Sequence, residues 1–534
     1  MNGRCYKHIY TKLSTKATSI KDAGGRKQLK SVGQTRVSTF RRWAGLGRTQ
    51  KFLRLTAGLG SQVFLAVLES VGPCRSLSHP SSLALHLTWL AQKIFNIKDY
   101  GAEGDGKTDN TEAITTAILA ASQQSSGGYV YVPAGDFLSG ALNLTSNVYL
   151  YLDHNSILRV SDDPALYFCV PSTTTDTGPC DFPFLFLSKL QHSGILGYGM
   201  IDAGANSPPG HLVREYDSST NMLLPLEWKL PRCTYFSCRP KLMVIKDSSF
   251  VSLANLTITN SPLWTITAVE SEYIIIDSVT ILGDRRWPNN DGIDLINSRH
   301  VLIRNTTIST GDDCIAIVSH DSSAIFNITV ENCKLTSTSA AIKISAFEQN
   351  ATGNIYDLNF RNIQITDTNR GVCIAPRWGS GTLSNMTFTN LTMETHYYST
   401  AWWGTAEPIY VTALSMSETR SWKGQVKNIH FENISARSEQ GAILVGNTSI
   451  LQNITLRNIQ LTIDQFSNLS HPAHDYKPSI EPQFTYAPID VALKTLKFFL
   501  EPIEDSKSTP EIGLKPVREN VFRLKQTTTE MYRE

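Results

Sequence analysis

The second half of the chain repeats one short pattern of alternating apolar and polar positions. Each copy is a short alternating stretch, then Asn (once Ser278), then a second short stretch. The copies are VSLANLTI (251–258), IIIDSVTI (274–281), VLIRNTTI (301–308), ITVENCKL (328–335), LNFRNIQI (358–365), MTFTNLTM (386–393), IHFENISA (429–436) and ITLRNIQL (454–461). A period of two puts one side of each stretch inward and is typical of β-strands, whereas helical repeats are excluded by the lack of a 3.6-residue period.

The spacing of these copies predicts a solenoid. The recurring bend positions are mostly 23 to 30 residues apart, with one step of 43 between Asn390 and Asn433. One unit cannot bury a core alone, but stacked units can, because each strand pairs with its copy in the next coil. Asn tolerates left-handed backbone geometry and suits the bend between the two strands. We therefore predict an all-β, single-stranded parallel β-helix, with a β-propeller, which needs about 40 residues per blade, as the main alternative.

The segment before the repeat predicts a cap for the open end of the coil. Residues 95–121 read FNIKDYGAEGDGKTDNTEAITTAILAA, which indicates a strand, a Gly-rich turn and an N-terminal capping helix from about Asn110 to Ser122. The open edge of a β-helix needs such a cover. The Gly-rich turn lacks both GxxxxGK[ST] and GxGxxG, so nucleotide binding is disfavoured and we expect no cofactor.

The two ends of the chain differ in composition from the middle. We expect residues 1–94 to form a poorly ordered basic leader, residues 95–495 the β-helix domain and residues 496–534 a polar C-terminal tail. Within the leader, the apolar stretch 57–68 follows basic residues and resembles a secretory signal, although a core segment fits equally well. No apolar run reaches the length of a membrane span, and the net charge of +2 favours neither nucleic acid nor membrane as a partner.

The nine cysteines allow disulfides, although the sequence does not establish any pairing. They contain no CxxC pair, which disfavours a zinc ribbon. Three pairs are close enough in sequence to bridge: Cys169 with Cys180, Cys233 with Cys238, and Cys314 with Cys333. Many N-x-[ST] sequons also occur, but several of their Asn residues lie at the bend of the repeat, where Asn has a structural role. The sequons are therefore weak evidence for secretion.

Three acidic residues lie in two successive coils. Asp291 is part of NNDGIDL (289–295), and Asp312 and Asp313 are part of STGDDCIAI (309–317), 21 residues later. Copies of one strand in neighbouring coils lie about 4.8 Å apart, so we expect these carboxylates to gather in one groove. Their repulsion raises at least one pKa, which provides the acid and the base that glycoside hydrolysis requires. Ordinary turn residues and a Ca²⁺ site are the alternative interpretations.

Together with NIKDYGAEGDGKTDNTEAI and SPLWTI (261–266), these motifs resemble the glycoside hydrolases of family 28, the polygalacturonase family. The resemblance covers about residues 95–495. It implies a right-handed parallel β-helix that hydrolyses pectic polymers with inversion at the anomeric carbon. It also implies that Asp312 is the general acid, and that Asp291 and Asp313 position and deprotonate the attacking water. Acid and base in an inverting enzyme are expected roughly 6.5–9.5 Å apart.

Two stretches depart from the pattern of that family. Where the family carries Gly-His-Gly, this chain has STSAAIKIS (337–345), with Ala340 or Ala341 in the His position. Where the family carries Arg-Ile-Lys, which grips a galacturonate carboxylate, this chain has RGVCIAP (370–376), with Cys373 and Ala375 in the basic positions. The departures indicate a divergent branch of the family, for which a rhamnogalacturonan or another uronate-containing chain is the expected substrate.

Several residues are candidates for holding such a substrate. Lys343, Arg377 and Arg286 are candidate carboxylate binders, with a solvated surface charge as the alternative for each. The long coil contains HYYSTAWWGTAEPIYVTA (396–413), in which Trp402 and Trp403 are candidates for stacking on a sugar and Glu407 for a polar contact. For these loop residues, packing of a flap on the β-helix and a loop salt bridge are the alternatives.

The leading functional prediction is a secreted, monomeric, inverting glycoside hydrolase that acts on pectic polysaccharide without a metal ion. A Ca²⁺-dependent polysaccharide lyase on a similar β-helix and a carbohydrate-binding β-helix without catalysis are the alternatives. The lost His and basic positions favour the last of these. The clustered aspartates oppose it, because like charges held together cost stability when they have no task.

Overall fold

The computed structural model describes residues 20–21, 27–28, 51–56, 63–68, 93–171, 180–204, 215–217, 222–224, 240–398, 402, 404–413, 421–446, 449–463, 496–499 and 522–524. The chain divides into two units, residues 1–91 and 92–534. In the first unit, Ile20–Lys21 pairs with Lys27–Gln28, and Lys51–Thr56 pairs with Val63–Leu68, both antiparallel. The predicted limits of the leader and of the tail stay predictions, because most of both segments lies outside the described residues.

The second unit is built from two sheets of stacked strands. The long sheet contains Lys93–Asn96, Asp105–Asp109, Gly128–Val132, Gly135–Ser139, Val148–Leu152, Ser156–Val160, Gln191–Gly197, Met200–Asp202, Ser249–Ala254, Thr257–Thr259, Glu272–Asp277, Thr280–Leu282, Arg299–Arg304, Thr307–Thr310, Ile325–Glu331, Lys334–Ser337, Ile355–Thr368, Thr382–Thr395, Gln425–Ser438, Leu451–Ile463 and Leu496–Phe499. The short sheet contains Leu142–Asn143, Leu185–Ser188, Met243–Lys246, Ile266–Val269, Ile293–Ile296, Ile315–Ser319, Ala340–Ala346, Arg370–Ile374, Ile409–Thr412, Ala442–Val445 and Phe522–Leu524.

Neighbouring strands in both sheets belong to successive coils and run parallel, apart from Phe522–Leu524, which pairs antiparallel with Ala442–Val445. The short elements Val170–Pro171, Cys180–Asp181, Glu215–Asp217 and Met222–Leu224 and the 3₁₀ turns Ile97–Tyr100 and Pro164–Leu166 complete the described elements. The predicted parallel β-helix is therefore confirmed, and the propeller alternative is excluded.

The core follows the alternating pattern of the repeat. Apolar residues at equal positions stack from coil to coil, as in the series Ile276, Ile303, Val330, Phe360, Phe388 and Phe431, all of which are fully buried. The rings of Phe360 and Phe388 stack with centroids 4.7 Å apart, and those of Phe388 and Phe431 with centroids 4.8 Å apart. Burial of these aromatic side chains is a large part of what holds successive coils together.

The bend position of the repeat forms a ladder of amides. The Asn residues there have positive φ, between 51° and 58°, and Ser278 shares this left-handed geometry. In the last four coils of the ladder, each Asn side chain donates a hydrogen bond to the amide oxygen of the preceding one; the distances are 3.2 Å for Asn362, Asn390 and Asn433 and 2.7 Å for Asn458. The role that the sequence predicts for Asn at this bend agrees with this geometry.

The α-helix Thr111–Ser122 covers the first coil. Its buried face consists of Ile114, Ala117, Ile118 and Ala121, which belong to the same hydrophobic core as the first strands. The predicted helix began one residue earlier, at Asn110. Asn110 lies before the helix instead and binds Glu103 and Leu138 through its side chain. No helix among the described residues is long and apolar enough to cross a membrane.

The Cys314–Cys333 bridge that the spacing allows does not form. Both residues are buried free thiols. The Cys314 Sγ donates to the Thr336 carbonyl at 3.2 Å, whereas the Cys333 Sγ donates to the Glu331 carbonyl at 3.3 Å, so each thiol binds the backbone of a different segment. Cys169 is disulfide-bonded, although its pairing with Cys180 stays a prediction, and Cys233 and Cys238 lie outside the described residues.

Candidate active site

The short sheet brings the three predicted aspartates together. Ile293 pairs with Ile315 in the next coil, so Asp291 and Asp313 occupy matching places two residues before their strands. The Gly292 N–H donates to the Asp313 carbonyl at 2.9 Å across this junction. One carboxylate oxygen of each of Asp291, Asp312 and Asp313 lies within 4.8 Å of the other two. All three residues are at least 94% buried.

This closest approach is shorter than the 6.5–9.5 Å expected between acid and base in an inverting enzyme. The reason is the architecture: two of the aspartates are adjacent in sequence, and the third is one coil away, where stacked strands lie about 4.8 Å apart. The distance between neighbouring coils therefore sets the short spacing of the carboxylates. The site is a cluster of three carboxylates rather than an isolated pair.

Asp312 is held by the turn that carries Asn289 and Asn290. The Asn289 N–H donates to Asp312 Oδ2 at 3.1 Å, and the Asn290 side-chain oxygen accepts from the backbone N–H groups of Gly311 and Asp312 at 2.7 and 3.2 Å. A Cβ at Gly311 would lie 2.1 Å from the Trp287 carbonyl oxygen, so glycine is required for this close approach. The turn and the aspartate therefore form one fixed unit.

Asp313 accepts three hydrogen bonds. Its Oδ1 accepts from the Ser339 hydroxyl at 3.0 Å and the Ala340 N–H at 3.2 Å, and its Oδ2 accepts from the Lys343 ammonium at 2.7 Å. All three partners are donors, which is the arrangement that a carboxylate anion accepts. Burial disfavours the Lys343 ammonium, but the charges of Asp313 and Asp312 and the hydrogen bond to Asp313 together outweigh burial, and the pKa of Lys343 is raised.

Asp291 differs from its neighbours because its buried Oδ1 has no hydrogen-bond partner in the described structure. Burial, and then the charges of Asp312, Asp294 and Asp313, raise the pKa of Asp291 well above its ordinary value. Asp294 behaves similarly: burial and Asp313 raise its pKa, and its Oδ2 also lacks a hydrogen-bond partner. The cluster therefore holds a proton to higher pH than an ordinary aspartate does.

Sequence reasoning missed Asp294 and Lys241. The alternation Ile-Asp-Leu at 293–295 already places Asp294 on the side opposite the core residues, and in the sheet it lies two strands from Lys343, with Ala316 between them. Lys241 is 1% exposed, and its ammonium lies 3.1 Å from the Asp181 carboxylate and 4.2 Å from the centre of the Trp264 ring. No pattern in the sequence distinguished this lysine.

The candidate substrate residues fall into different environments. The Arg377 guanidinium and the Lys343 ammonium each lie 5.1 Å from the centre of the Phe347 ring, so both cations border one aromatic side chain beside Asp313. Arg286 makes hydrogen bonds of 2.6 and 2.9 Å to Asp284, and its side chain is 48% exposed.

The candidates in the long coil are more enclosed. Glu407 is fully buried: its carboxylate oxygens accept from Arg370 at 3.1 and 3.2 Å and from the Thr405 hydroxyl at 2.7 Å. A direct contact between Glu407 and a substrate therefore requires this ion pair to open. Trp402 is 1% exposed, which corresponds to the packed-flap alternative, and Trp403 lies outside the described residues.

The two departures from the family pattern meet in space. Ala340, Cys373 and Ala375 form a small buried apolar cluster, against which Tyr410 packs. Cys373 pairs with Lys343 across neighbouring strands, and the Ala340 N–H binds Asp313. The positions where the family pattern has a His and two basic residues are thus apolar in this chain, directly beside the carboxylates.

Two sequence comparisons bear on the family. Residues 94–157 match the group described as Rhamnogalacturonase A/epimerase, pectate lyase-like. Residues 128–474, more than half of the chain, match Glycosyl hydrolases family 28. The chain belongs to family 28. The family membership predicted from the motifs is therefore confirmed. The matching residues 128–474 include Asp291, Asp312 and Asp313.

Related proteins carry polygalacturonase names. The chain is 26% identical to the polygalacturonase of Chamaecyparis obtusa, over 73% of this chain and 69% of that protein. It is also 26% identical to the endo-polygalacturonase of Pectobacterium carotovorum subsp. carotovorum, over 67% and 86%. For the probable polygalacturonase of Vitis vinifera, at 26% identity, the alignment spans only 64% of that protein and 60% of this family 28 chain.

Solved structures show the same fold. The exopolygalacturonase of Thermotoga maritima superimposes with a TM-score of 0.51 at 20% identity, covering 69% of this chain and 91% of that one. The polygalacturonase of Erwinia carotovora ssp. carotovora superimposes with a TM-score of 0.50 at 20% identity, covering 74% and 98%. The same parallel β-helix is therefore found in solved structures.

Proposed function

We propose that this protein hydrolyses glycosidic bonds in a pectic, uronate-containing polysaccharide. The observation that carries the proposal is the gathering of the Asp291, Asp312 and Asp313 carboxylates within 4.8 Å, directly before two short-sheet strands of a family 28 β-helix. Glycoside hydrolysis needs one carboxyl group that donates a proton and one carboxylate that activates water or attacks. Carboxyl groups whose surroundings separate their pKa values can supply both forms at the same pH.

We infer the division of labour from the family pattern and from the contacts of each aspartate. Asp312 protonates the leaving oxygen, and its position is fixed by Asn289 and Asp313 backbone N–H groups at 3.1 Å. Asp313, which is paired with Lys343, deprotonates the attacking water together with Asp291. The unpartnered Oδ1 of Asp291 gives that water an acceptor. Because the carboxyl groups interact strongly, the shared proton belongs to the group and is available to Asp312.

The substrate carboxylate would be recognised by cations beside the aspartates. Arg377 and Lys343 border Phe347, and Lys343 contacts Asp313 directly, so a uronate bound there lies next to the reacting bond. Arg286 and Trp403 remain candidate contacts of the substrate. A chain that acts on pectin meets it outside the cell, so we also propose secretion, and a monomer suffices because all three aspartates come from one chain.

The stereochemical outcome follows from the same assignment. A water activated by Asp313 and Asp291 attacks the face of the sugar opposite the leaving oxygen, which inverts the anomeric carbon. The experiment is proton NMR of the product anomer within the first minutes of hydrolysis. A product that first appears with the configuration of the substrate would replace this assignment with a covalent, retaining mechanism.

The test of the function is a substrate panel with matched variants. Purified protein is incubated with polygalacturonate, methyl-esterified pectin and rhamnogalacturonan, and reducing ends are counted. Asp312→Asn is expected to lower kcat by about 10²–10⁴-fold, because the amide has no proton to donate. If wild type cleaves and Asp312→Asn cleaves equally well, the assignment of the acid fails. Products that absorb in the ultraviolet would indicate a lyase, and no cleavage of any polymer would support the binding alternative.

A further inference from the structure

A second cluster of charged and polar side chains lies away from the carboxylates, and the reaction scheme above does not use it. The Asp367 carboxylate is its centre. It accepts hydrogen bonds from Arg285, from His396 Nε2 and, at 2.8 Å, from the Tyr398 hydroxyl. The Asp367 backbone carbonyl accepts a second bond from Arg285 at 2.7 Å and another from Tyr398 at 2.8 Å. We call these four residues the Asp367 clasp.

The clasp joins segments that are far apart in sequence. Arg285 belongs to the turn before Asp291, Asp367 lies 82 residues later at the end of strand Ile355–Thr368, and His396 and Tyr398 open the long coil. The Arg285 guanidinium lies 5.2 Å from the centre of the Tyr398 ring, and the His396 and Tyr398 ring centres are 4.4 Å apart. The clasp therefore fixes the Arg285 turn to the base of the 396–413 insertion.

The Arg285 turn is the segment that positions the proposed acid. Four residues after Arg285, the Asn289 N–H donates to Asp312 Oδ2, and Asn290 holds the backbone of Gly311 and Asp312. The Arg285 carbonyl in turn accepts from the Thr338 hydroxyl at 2.8 Å, one coil beyond the aspartates. A shift of Arg285 would therefore move the donors of Asp312.

The hydrogen bonds of His396 define its charge. Its Nε2 faces the Asp367 carboxylate, and its Nδ1 faces the Tyr397 carbonyl at 3.1 Å. Both partners only accept, so both ring nitrogens carry hydrogen and the ring is an imidazolium. Burial disfavours this charge, but Asp367 and Tyr397 outweigh burial, and the pKa of His396 is raised. Hydrogen bonding from His396, together with Arg285, lowers the pKa of Asp367 to about 2.

From these contacts we propose that Arg285, Asp367 and His396 are positioning residues for Asp312, and that the imidazolium form of His396 is required for full activity. The charged groups around His396 are Asp367 on the long sheet, Arg285 on the turn and Glu439 after strand Gln425–Ser438, whose carboxylate accepts from the Tyr397 N–H at 2.9 Å. Because the pKa of His396 is raised on folding, the clasp is complete at low pH and weakens as the pH rises through that pKa. The proposal rests on the proposed hydrolase function.

The experiment compares Asp367→Asn, Arg285→Met and His396→Gln in the full chain. We expect Asp367→Asn and Arg285→Met to lower kcat by about 10- to 100-fold, as small misplacements of catalytic groups do, with KM changed less than threefold. Gln at position 396 still donates to Asp367 but does not titrate. Its kcat should therefore stay constant over the alkaline range in which wild-type kcat declines. The matched control is Asp277→Asn, which breaks an equivalent pair with Arg304 on the long sheet and should leave kcat within twofold.

The possible outcomes distinguish a failure of the clasp proposal from a failure of the proposed hydrolase function. NMR titration of His396 tests the contacts of the clasp without any substrate. The pKa of His396 should lie above 6.5 in wild type and fall in Asp367→Asn. If wild type cleaves no polymer, the proposed function fails, while the titration still tests the contacts of His396. Wild-type kcat and an unchanged pH profile in Asp367→Asn and His396→Gln would overturn the proposal. If Asp367→Asn does not fold, Arg285→Lys, which keeps a charge but loses the two-point contact, provides the same test.

Discussion

The Lys343 ammonium lies 2.7 Å from the Asp313 carboxylate, within the cluster of aspartates. It balances part of the negative charge of four buried carboxyl groups, Asp291, Asp294, Asp312 and Asp313. In this role Lys343 supplies the positive charge that a bound cation would otherwise provide. The absence of a metal ion from the reaction stays a prediction from the sequence. The pair is also where this chain differs from the family pattern, since the neighbouring positions Ala340 and Cys373 are apolar.

Replacing Lys343 with Met should lower kcat by about 10²-fold or more, the scale on which general-base catalysis is lost. Without the ammonium, the cluster holds its protons more tightly, so the acid limb of the pH profile of kcat/KM should move to higher pH. Lys343→Arg should restore most of the activity and the original limb. The measurement is initial rate against pH for the three proteins. An unchanged limb in Lys343→Met would show that the ammonium does not control the charge of the base.

Asp291→Asn should make the protein more stable at neutral pH while inactivating it. The folded-state pKa of Asp291 is raised, so the ionised form destabilises the fold, and this cost appears as the pH rises above the ordinary pKa of an aspartate. An amide removes the cost. We expect a rise in Tm on the order of 2–4 °C at pH 7 and little change at pH 3, measured by scanning calorimetry. Equal effects at both pH values would contradict the assignment of a buried, destabilising charge.

Arg377→Met should weaken the binding of uronate polymers without affecting the chemical step. A charge-assisted hydrogen bond contributes about 1.5–3 kcal/mol, so KM for a uronate polymer should rise about tenfold or more, while kcat changes little. The control is Arg361→Met, which removes an arginine paired with Glu331 on the long sheet. Saturation kinetics on short oligouronates provide the measurement. A loss confined to kcat would instead assign Arg377 to the positioning of the aspartates.

Phe388→Ala should destabilise the coil by about 3–5 kcal/mol, because it removes the middle ring of a buried stack and leaves a cavity. Phe388→Leu, which retains most of the volume, should cost clearly less. Urea unfolding followed by tryptophan fluorescence measures both variants. If the two substitutions cost the same, cavity formation is not the dominant effect and the stack contributes through the geometry of its rings.

The fold could be predicted from the sequence because every coil of a solenoid repeats the same sequence pattern. Alternation specified which side of each strand is buried, and the bend residues specified where each coil turns, as the left-handed Asn ladder shows. The neighbourhood of Asp291, Asp312 and Asp313 followed from coil stacking alone. Long-range partners did not follow: the Lys343–Asp313 pair needed the sheet register, and the Arg285–Asp367 pair bridges 82 residues.

The Cys314–Cys333 bridge that the spacing allows is absent for a related physical reason. Cys314 and Cys333 are close in sequence, but the Cys314 thiol donates to the Thr336 carbonyl and the Cys333 thiol donates to the Glu331 carbonyl, so each thiol binds a backbone oxygen and not the other thiol. Glu407 shows the same limit. Its residue type suggested a polar contact with a sugar, whereas its ion pair with Arg370 depends on a partner 37 residues earlier that no local pattern identifies.

The 43-residue step between Asn390 and Asn433 has a consequence for how such a protein diversifies. The extra residues leave the register of the flanking strands Thr382–Thr395 and Gln425–Ser438 intact, with Met386 still opposite Ile429. A loop can therefore lengthen or shorten without changing the register of the coils on either side of it. Loops that contact a polymer can therefore change by insertion and deletion while the stacked strands stay the same. In such a fold, a change of substrate preference does not require a change in the reacting aspartates.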